Sequence, residues 1–309
     1  MSARADMILD PDGHRPHGPR FGRGAFDTDD IPAQDVYQPQ SENIEDVVER
    51  VSAAVETGRV GEVTIDDYQA WSELNWKAPH GTIHSQERFR KKLAEEYKEL
   101  SDEVEKALEG EQVGEKLESE LGDLLWTATA ITSDLGRKVK TAIMERLHLY
   151  GKGTRYVDGS TPPWVEMAQR LSYSERGFNL DRLDELIAAG YVPQPSPYMF
   201  IDDDETAGRS EIDQAQMFIF YAARTIDYIA ENTYDQSSIT YHTDVINNDD
   251  AESVDNLIAE IYINIAYLAR HLATSSLSEV VRKNILKVSG RVGAGLIDKQ
   301  DGARPESLK

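Results

Sequence analysis

Residues 92–99 (KLAEEYKE) and 120–126 (ELGDLLW) are the two stretches that decide the fold and point to the chemistry. Each of them places carboxylates on one face of a predicted helix, because residues three and four apart are neighbours on a helix. The second set lies inside an apolar run, where burying bare charge is too costly unless a cation compensates it. The pair therefore predicts a cage of carboxylates for Mg²⁺, and hence phosphate chemistry.

The composition is that of an acidic globular protein without thiol chemistry. The 309 residues include 33 Lys or Arg and 56 Asp or Glu, for a net charge of −23, and no cysteine. This charge argues against direct binding to a nucleic-acid backbone, which needs a basic face. The missing cysteines exclude disulfides and thiolate metal sites. No apolar run approaches the roughly 18–20 residues of a membrane helix, and no signal-peptide pattern opens the chain, so we expect a cytoplasmic protein without membrane contact.

The apolar periodicity predicts an all-α protein. We expect a disordered tail over 1–42, a catalytic helical domain over 43–153, a connector with short helices over 154–207, a second helical domain over 208–296 and a tail over 297–309. Helices are predicted over 45–54, 66–75, 86–108, 115–135, 138–149, 164–171, 180–190, 211–232, 252–272 and 277–292. Residues 238–245 are the single weak candidate for a strand.

The carboxylates of the two stretches converge if their helices pack antiparallel. Glu96 and Glu99 share one face, with Glu95 on its edge, and Glu120 and Asp123 form the matching pair. Hard oxygen ligands of this kind suit Mg²⁺ or Mn²⁺ completed by water and phosphate oxygens. We expect Glu96, Glu99, Glu120 and Asp123 to hold the metal and Glu95 to orient or deprotonate a water.

A solvated acidic face is the competing interpretation. Glutamates are frequent between residues 95 and 120, and the basic residues before them, such as Lys92, are expected to pair with Glu95 and Glu96 one helical turn away. Asp123 argues against that interpretation for the second stretch. Aspartate is a poor helix former, and this one sits in mid-helix among leucines.

The pattern EExxE, followed after about twenty residues by ExxD in an LGDLLW context, resembles the MazG-like family of all-α nucleoside triphosphate pyrophosphohydrolases. That superfamily includes dimeric dUTPases and phosphoribosyl-ATP pyrophosphohydrolases. The resemblance covers residues 66–150 well and 208–295 weakly. It implies a helical bundle that uses Mg²⁺ to hydrolyse a nucleoside triphosphate to the monophosphate and pyrophosphate, in a homo-oligomer.

The second helical block aligns faintly with the first. Glu260 falls on Glu120, Ile263 on Asp123, and Ala222 and Ala223 on the paired glutamates, so a repeat would have lost its acids in the second copy. A chance match of two amphipathic helices explains the similarity equally well.

The helix over 277–292 looks like the family's last helix, whose Asn and Lys reach the nucleotide phosphates. Asn284 and Lys287 stand at those places, which suggests a fused pseudo-dimer with one composite site. Two solvated helix residues are the equally weighted alternative.

Other functions stay open at this point. Trp71 is a candidate to stack on the base, although its helical spacing with Tyr68 is typical of a core residue. The same bundle without efficient chemistry would be a nucleotide sensor, and the net charge also fits an acidic protein that imitates DNA. The acidic composition and the proline-rich middle segment would suit a phage-encoded protein acting in its host's cytoplasm. No residue set indicates the base preference.

Overall fold

The computed structural model describes residues 44–75, 83–134, 136–153, 161–172, 178–193, 209–233 and 248–293. Within these ranges the chain forms α-helices and one short 3₁₀ helix, Val60–Glu62, and contains no β-strand. The all-α prediction is therefore confirmed. The predicted tails over 1–42 and 297–309 and the candidate strand over 238–245 lie outside the described residues.

The helices follow the predicted order along the chain. They are α1 Ile44–Glu56, α2 Ile65–Asn75, α3 Ile83–Leu108, α4 Gly114–Asp134, α5 Val139–Gly153, α6 Pro163–Ser172, α7 Leu180–Ala188, α8 Glu211–Thr233, α9 Asn248–His271 and α10 Leu277–Gly293. Among the described helices, none is both long and apolar enough to cross a membrane.

Two glycines end the long helices near the candidate site. Gly110 follows α3 with φ +88°, and Gly136 follows α4 with φ +67°. Glycine adopts positive φ without the steric cost of a Cβ, which makes it the usual residue just after a helix. These two turns allow α4 to fold back along α3 and α5 to leave α4.

The core is built around α4 and α9, which are buried over most of their lengths. Helices α2, α3, α9 and α10 pack against α4, and α4, α5, α7, α8 and α10 pack against α9. All described residues belong to one compact unit, Val36–Lys309. The predicted division into a catalytic domain, a connector and a second domain stays a prediction.

Side chains also tie the helices together by hydrogen bonds. Gln69 of α2 donates to the carbonyl oxygen of Arg137 over 2.7 Å and accepts from the backbone N–H of Val139 over 2.9 Å. The buried carboxylate of Asp255 on α9 pairs with the Arg137 guanidinium. The start of α5 is thereby fixed against both α2 and α9.

Candidate metal centre

The acidic faces of α3 and α4 meet, as the sequence predicts. Glu96 lies opposite Glu120 and Asp123, while Glu103, two turns further along α3, pairs with Lys116 near the start of α4. The two helices are therefore antiparallel. One carboxylate oxygen from each of Glu96, Glu120 and Asp123 lies within 4.8 Å of the other two.

These three carboxylates are largely removed from water. Glu96 is 3% exposed, Glu120 is 8% exposed and Asp123 is 9% exposed. Burial, together with the neighbouring Asp123 charge, raises the pKa of Glu120 to about 7 and that of Glu96 to about 6. Like charges this close disfavour ionisation of one another. A positive charge placed among these carboxylates would therefore favour their ionised form.

Two lysines supply part of that charge, one from each half of the chain. Lys92 pairs with Glu96 (Nζ to Oε1, 2.6 Å), which is the i,i+4 pairing expected from the sequence. Lys287 of α10 pairs with Asp123 and donates to Ser119 Oγ over 2.7 Å. Each ammonium is only partly buried and lies at the edge of the cluster.

Asn284 fixes the orientation of Asp123. Its Nδ2 donates to Asp123 Oδ1 over 3.0 Å, and the side chain is buried. The two residues predicted to face the phosphates, Asn284 and Lys287, thus both contact the carboxylate of Asp123. Residues from the first and the second helical block meet at this point.

Gly122 allows α10 to come this close to α4. A Cβ built at Gly122 would lie 2.9 Å from Asn284 Cβ, a distance that real Cβ contacts essentially never show. The glycine in the middle of ELGDLLW is therefore explained by the approach of a helix more than 150 residues away in sequence. The sequence offered a signal for it, since glycine is unfavourable in the interior of a helix.

The other predicted site residues lie outside the tight cluster. Glu95 is exposed, on the solvent side of α3, and pairs with Lys92. Glu99 is exposed as well, and its charge contributes to the raised pKa of Glu120. Trp71 is 2% exposed, and its ring stacks on that of Tyr68 with centroids 6.0 Å apart. A base could stack on Trp71 only after a rearrangement of the core, so we leave it out of the proposed site.

Two further glutamates near the cluster are buried but already paired. Glu103 is bound by Lys106 and Lys116, and Glu118 by Lys283 of α10. These ion pairs remove both acids from the candidate ligands. Sequence spacing alone did not separate them from Glu96, since all of them lie in a glutamate-rich stretch.

The donor set fits a hard divalent cation. Mg²⁺ and Mn²⁺ prefer carboxylate and amide oxygens, and the cluster presents three carboxylates. Glu96 Oε2 and Asn284 Oδ1 are buried and accept no hydrogen bond within the described residues. Buried acceptors without partners are rare in native proteins and often mark an ion or ligand site. The group of Glu96, Glu120 and Asp123 is therefore a candidate metal centre.

The fold and the site together define an all-α protein with a buried acidic centre on two antiparallel helices. Residues 84–147, which span α3, α4 and most of α5, match the family model of the MazG nucleotide pyrophosphohydrolase domain. This segment is therefore similar to the MazG domain, in agreement with the resemblance that the two motifs carry. No curated protein and no solved structure matches the chain significantly.

Proposed function

We propose that the protein is a Mg²⁺-dependent nucleoside triphosphate pyrophosphohydrolase that converts (d)NTP and water to (d)NMP and pyrophosphate. The observation that carries the proposal is the cluster of Glu96, Glu120 and Asp123, within 4.8 Å and buried, inside the segment that matches the MazG domain. Such an enzyme would control the nucleotide pool or remove aberrant nucleotides.

The carboxylates would hold the cation, and α10 would meet the phosphates. Glu96, Glu120 and Asp123 are the proposed ligands, with Glu99 contributing from the rim. A divalent cation, when bound, neutralises phosphate charge and lowers the pKa of a bound water. Lys287 would donate to a phosphate oxygen; its pairing with Asp123 and its only partly buried side chain support this role. Asn284 would keep Asp123 in its ligating orientation.

Glu95 is the proposed base. It directly precedes Glu96 in sequence and is exposed. In this role its carboxylate would accept a proton from the attacking water. Attack of that water on the α-phosphorus forms one P–O bond. The bond from this phosphorus to the bridging oxygen breaks, and pyrophosphate leaves. A base within hydrogen-bond reach of the attacking water contributes typically 10²- to 10⁴-fold to rate.

The direct test follows pyrophosphate release from a panel of NTPs and dNTPs with Mg²⁺. Release that requires both Mg²⁺ and Glu120 supports the proposal. Binding of a nucleotide without release would instead identify a sensor, the second function compatible with the same cluster. If the protein neither binds nor hydrolyses any nucleotide, the proposed enzyme is excluded and the acidic DNA mimic is the remaining function.

The homo-oligomeric state, the cytoplasmic location and the phage origin stay predictions. Whether a second copy of the chain adds residues to the site can be tested by analytical ultracentrifugation beside the activity assay.

A further inference from the structure

The first helical block (43–153) and the second (208–296), called here the two halves, each pack their last helix against the other. Helix α10 of the second half packs against α4, and α5 of the first half packs against α9. Each contact brings a polar side chain to a buried acid of the other half. On one side Asn284 and Lys287 reach Asp123, and on the other Arg146 reaches Glu260.

The burial patterns of α5 and α10 agree residue by residue when Arg146 is set over Asn284. At that spacing each of the six buried residues over 139–150, the part of α5 whose burial is described, falls on a buried residue of α10. The six pairs are Val139 and Leu277, Ala142 and Val280, Ile143 and Val281, Arg146 and Asn284, Leu147 and Ile285, and Tyr150 and Val288. Arg146 therefore occupies in the second half the place that Asn284 occupies at the acidic cluster.

The acids of the second half differ accordingly. In the faint alignment of α9 with α4, Glu260 takes the place of Glu120 and Ile263 that of Asp123. On α8 the same alignment sets Ala223 on Glu96 and Ala222 on Glu95. One buried carboxylate, Glu260, thus remains where the first half has three.

That remaining carboxylate is fully neutralised by the protein itself. Glu260 is completely buried, pairs with Arg146, and accepts hydrogen bonds from the Tyr150 hydroxyl over 2.9 Å and from Asn264 Nδ2 over 3.0 Å. Arg146 is itself buried, and its guanidinium lies 4.2 Å from the centre of the Tyr150 ring. Arginine stays charged at any ordinary pH, so this pair needs no added cation.

We propose that the Arg146 guanidinium neutralises Glu260 in the way that a divalent cation would neutralise the first cluster. The second, pseudo-equivalent place therefore binds no cation. The chain keeps one cation centre, and residues of both halves form it. The proposal rests on the proposed function only in assigning a cation to the first cluster. The equivalence of the two places stands on the packing.

The reciprocal exchange of residues tests this equivalence. Asn284→Arg should close the first centre as Arg146 closes the second, so the variant should fold and lose Mn²⁺ binding, measured by electron paramagnetic resonance. Its melting temperature should no longer respond to Mn²⁺. A folded Asn284→Arg protein that binds Mn²⁺ like the wild type overturns the proposal.

The double variant Arg146→Asn/Ile263→Asp makes the opposite change and should open the second centre. We expect more Mn²⁺ bound per chain than in the wild type, and a larger rise of the melting temperature on adding Mn²⁺. Unchanged stoichiometry in the folded double variant contradicts the equivalence. If the double variant does not fold even with Mn²⁺, Asn284→Arg alone decides.

Arg137→Asn is the matched control. It also removes an arginine that pairs with a buried carboxylate of α9, that of Asp255. In the alignment of α9 with α4, however, Asp255 does not fall on a residue of the acidic cluster. It should lower the melting temperature without adding a Mn²⁺ ion. If the wild type itself binds no Mn²⁺, the proposed function fails. In that case the equivalence of the Arg146 and Asn284 places is still tested by whether the double variant binds Mn²⁺.

Discussion

Asn284 and Asp123, 161 residues apart in the chain, form a buried hydrogen bond of 3.0 Å between the amide nitrogen and Oδ1. This bond joins the last described helix to the acidic motif inside the segment that matches the MazG domain. The amide leaves the other oxygen of Asp123 to Lys287. The carboxylate at the centre of the site is thus oriented by the second half of the chain, and residues 84–147 alone contain neither partner.

Asp123→Asn should abolish Mg²⁺-dependent turnover while the fold survives. The amide keeps the size of the side chain but removes a proposed ligand charge. Loss of outer partners of a metal ligand typically costs about 10- to 100-fold, so loss of the ligand itself should cost at least about 100-fold. Steady-state pyrophosphate release measures the change, and circular dichroism verifies the fold.

Glu118→Gln is the control for Asp123→Asn. Glu118 lies on the same helix and is also buried, but Lys283 neutralises it and it is not part of the cluster. Its replacement should leave turnover close to that of the wild type. Full activity of Asp123→Asn would remove Asp123 from the proposed site.

Lys287→Met should weaken catalysis through the phosphate contact. A hydrogen bond to a charged group is worth roughly 1.5–3 kcal/mol, which corresponds to about a 10- to 100-fold loss in kcat/KM. Lys283→Met removes a lysine one turn earlier on α10 that pairs with Glu118 instead. Equal kinetics for the two variants would show that Lys287 plays no special part.

The acidic cluster also predicts how the protein responds to pH. Burial and the neighbouring Asp123 raise the pKa of Glu120 to about 7 and of Glu96 to about 6, above the ordinary 4.5. A carboxyl whose pKa is raised on folding contributes stability that is fully present below its unfolded pKa and is lost as the pH rises through its folded pKa. The metal-free protein should therefore lose stability between about pH 5 and pH 8.

Affinity for Mn²⁺ should change in the opposite direction over the same range. The cation needs ionised ligands, so binding should tighten as Glu96 and Glu120 lose their protons. Isothermal titration at several pH values measures the slope, and Glu120→Gln should flatten it. A flat profile in the wild type would contradict the raised pKa values.

Helix order and the acidic face were predictable because both depend on local periodicity. Helix positions follow from apolar spacing and from glycines such as Gly110. Asp123 is recognisable as a candidate metal ligand because it is a poor helix former within an apolar run. The partners of Asp123 depend on long-range packing. The sequence suggested Asn284 and Lys287 only through the family resemblance, with a solvated helix weighed equally.

Other parts of the site could not be obtained from local pattern. Glu103 and Glu118 resemble ligands in sequence, yet their neutralisation comes from lysines brought near by the fold. The pairing of Arg146 with Glu260 joins helices more than 100 residues apart. Trp71 shows the reverse case, since its spacing with Tyr68 already indicated a core position and the structure buries it.

Gly122→Ala should separate helix propensity from packing. In an isolated helix the change favours folding by about 1 kcal/mol, but here the new Cβ would meet Asn284 Cβ at 2.9 Å. Overpacking of a core typically costs 1–3 kcal/mol, so we expect lower or unchanged stability. We also expect reduced turnover, because α10 would carry Asn284 and Lys287 away from Asp123.

Gly290→Ala, on α10 with no atom within 4 Å of its new Cβ, should instead gain about 0.4–1 kcal/mol of stability and keep its activity. Thermal melts and pyrophosphate release on both variants decide, and a stabilised, fully active Gly122→Ala protein would show that the close approach of α10 is dispensable.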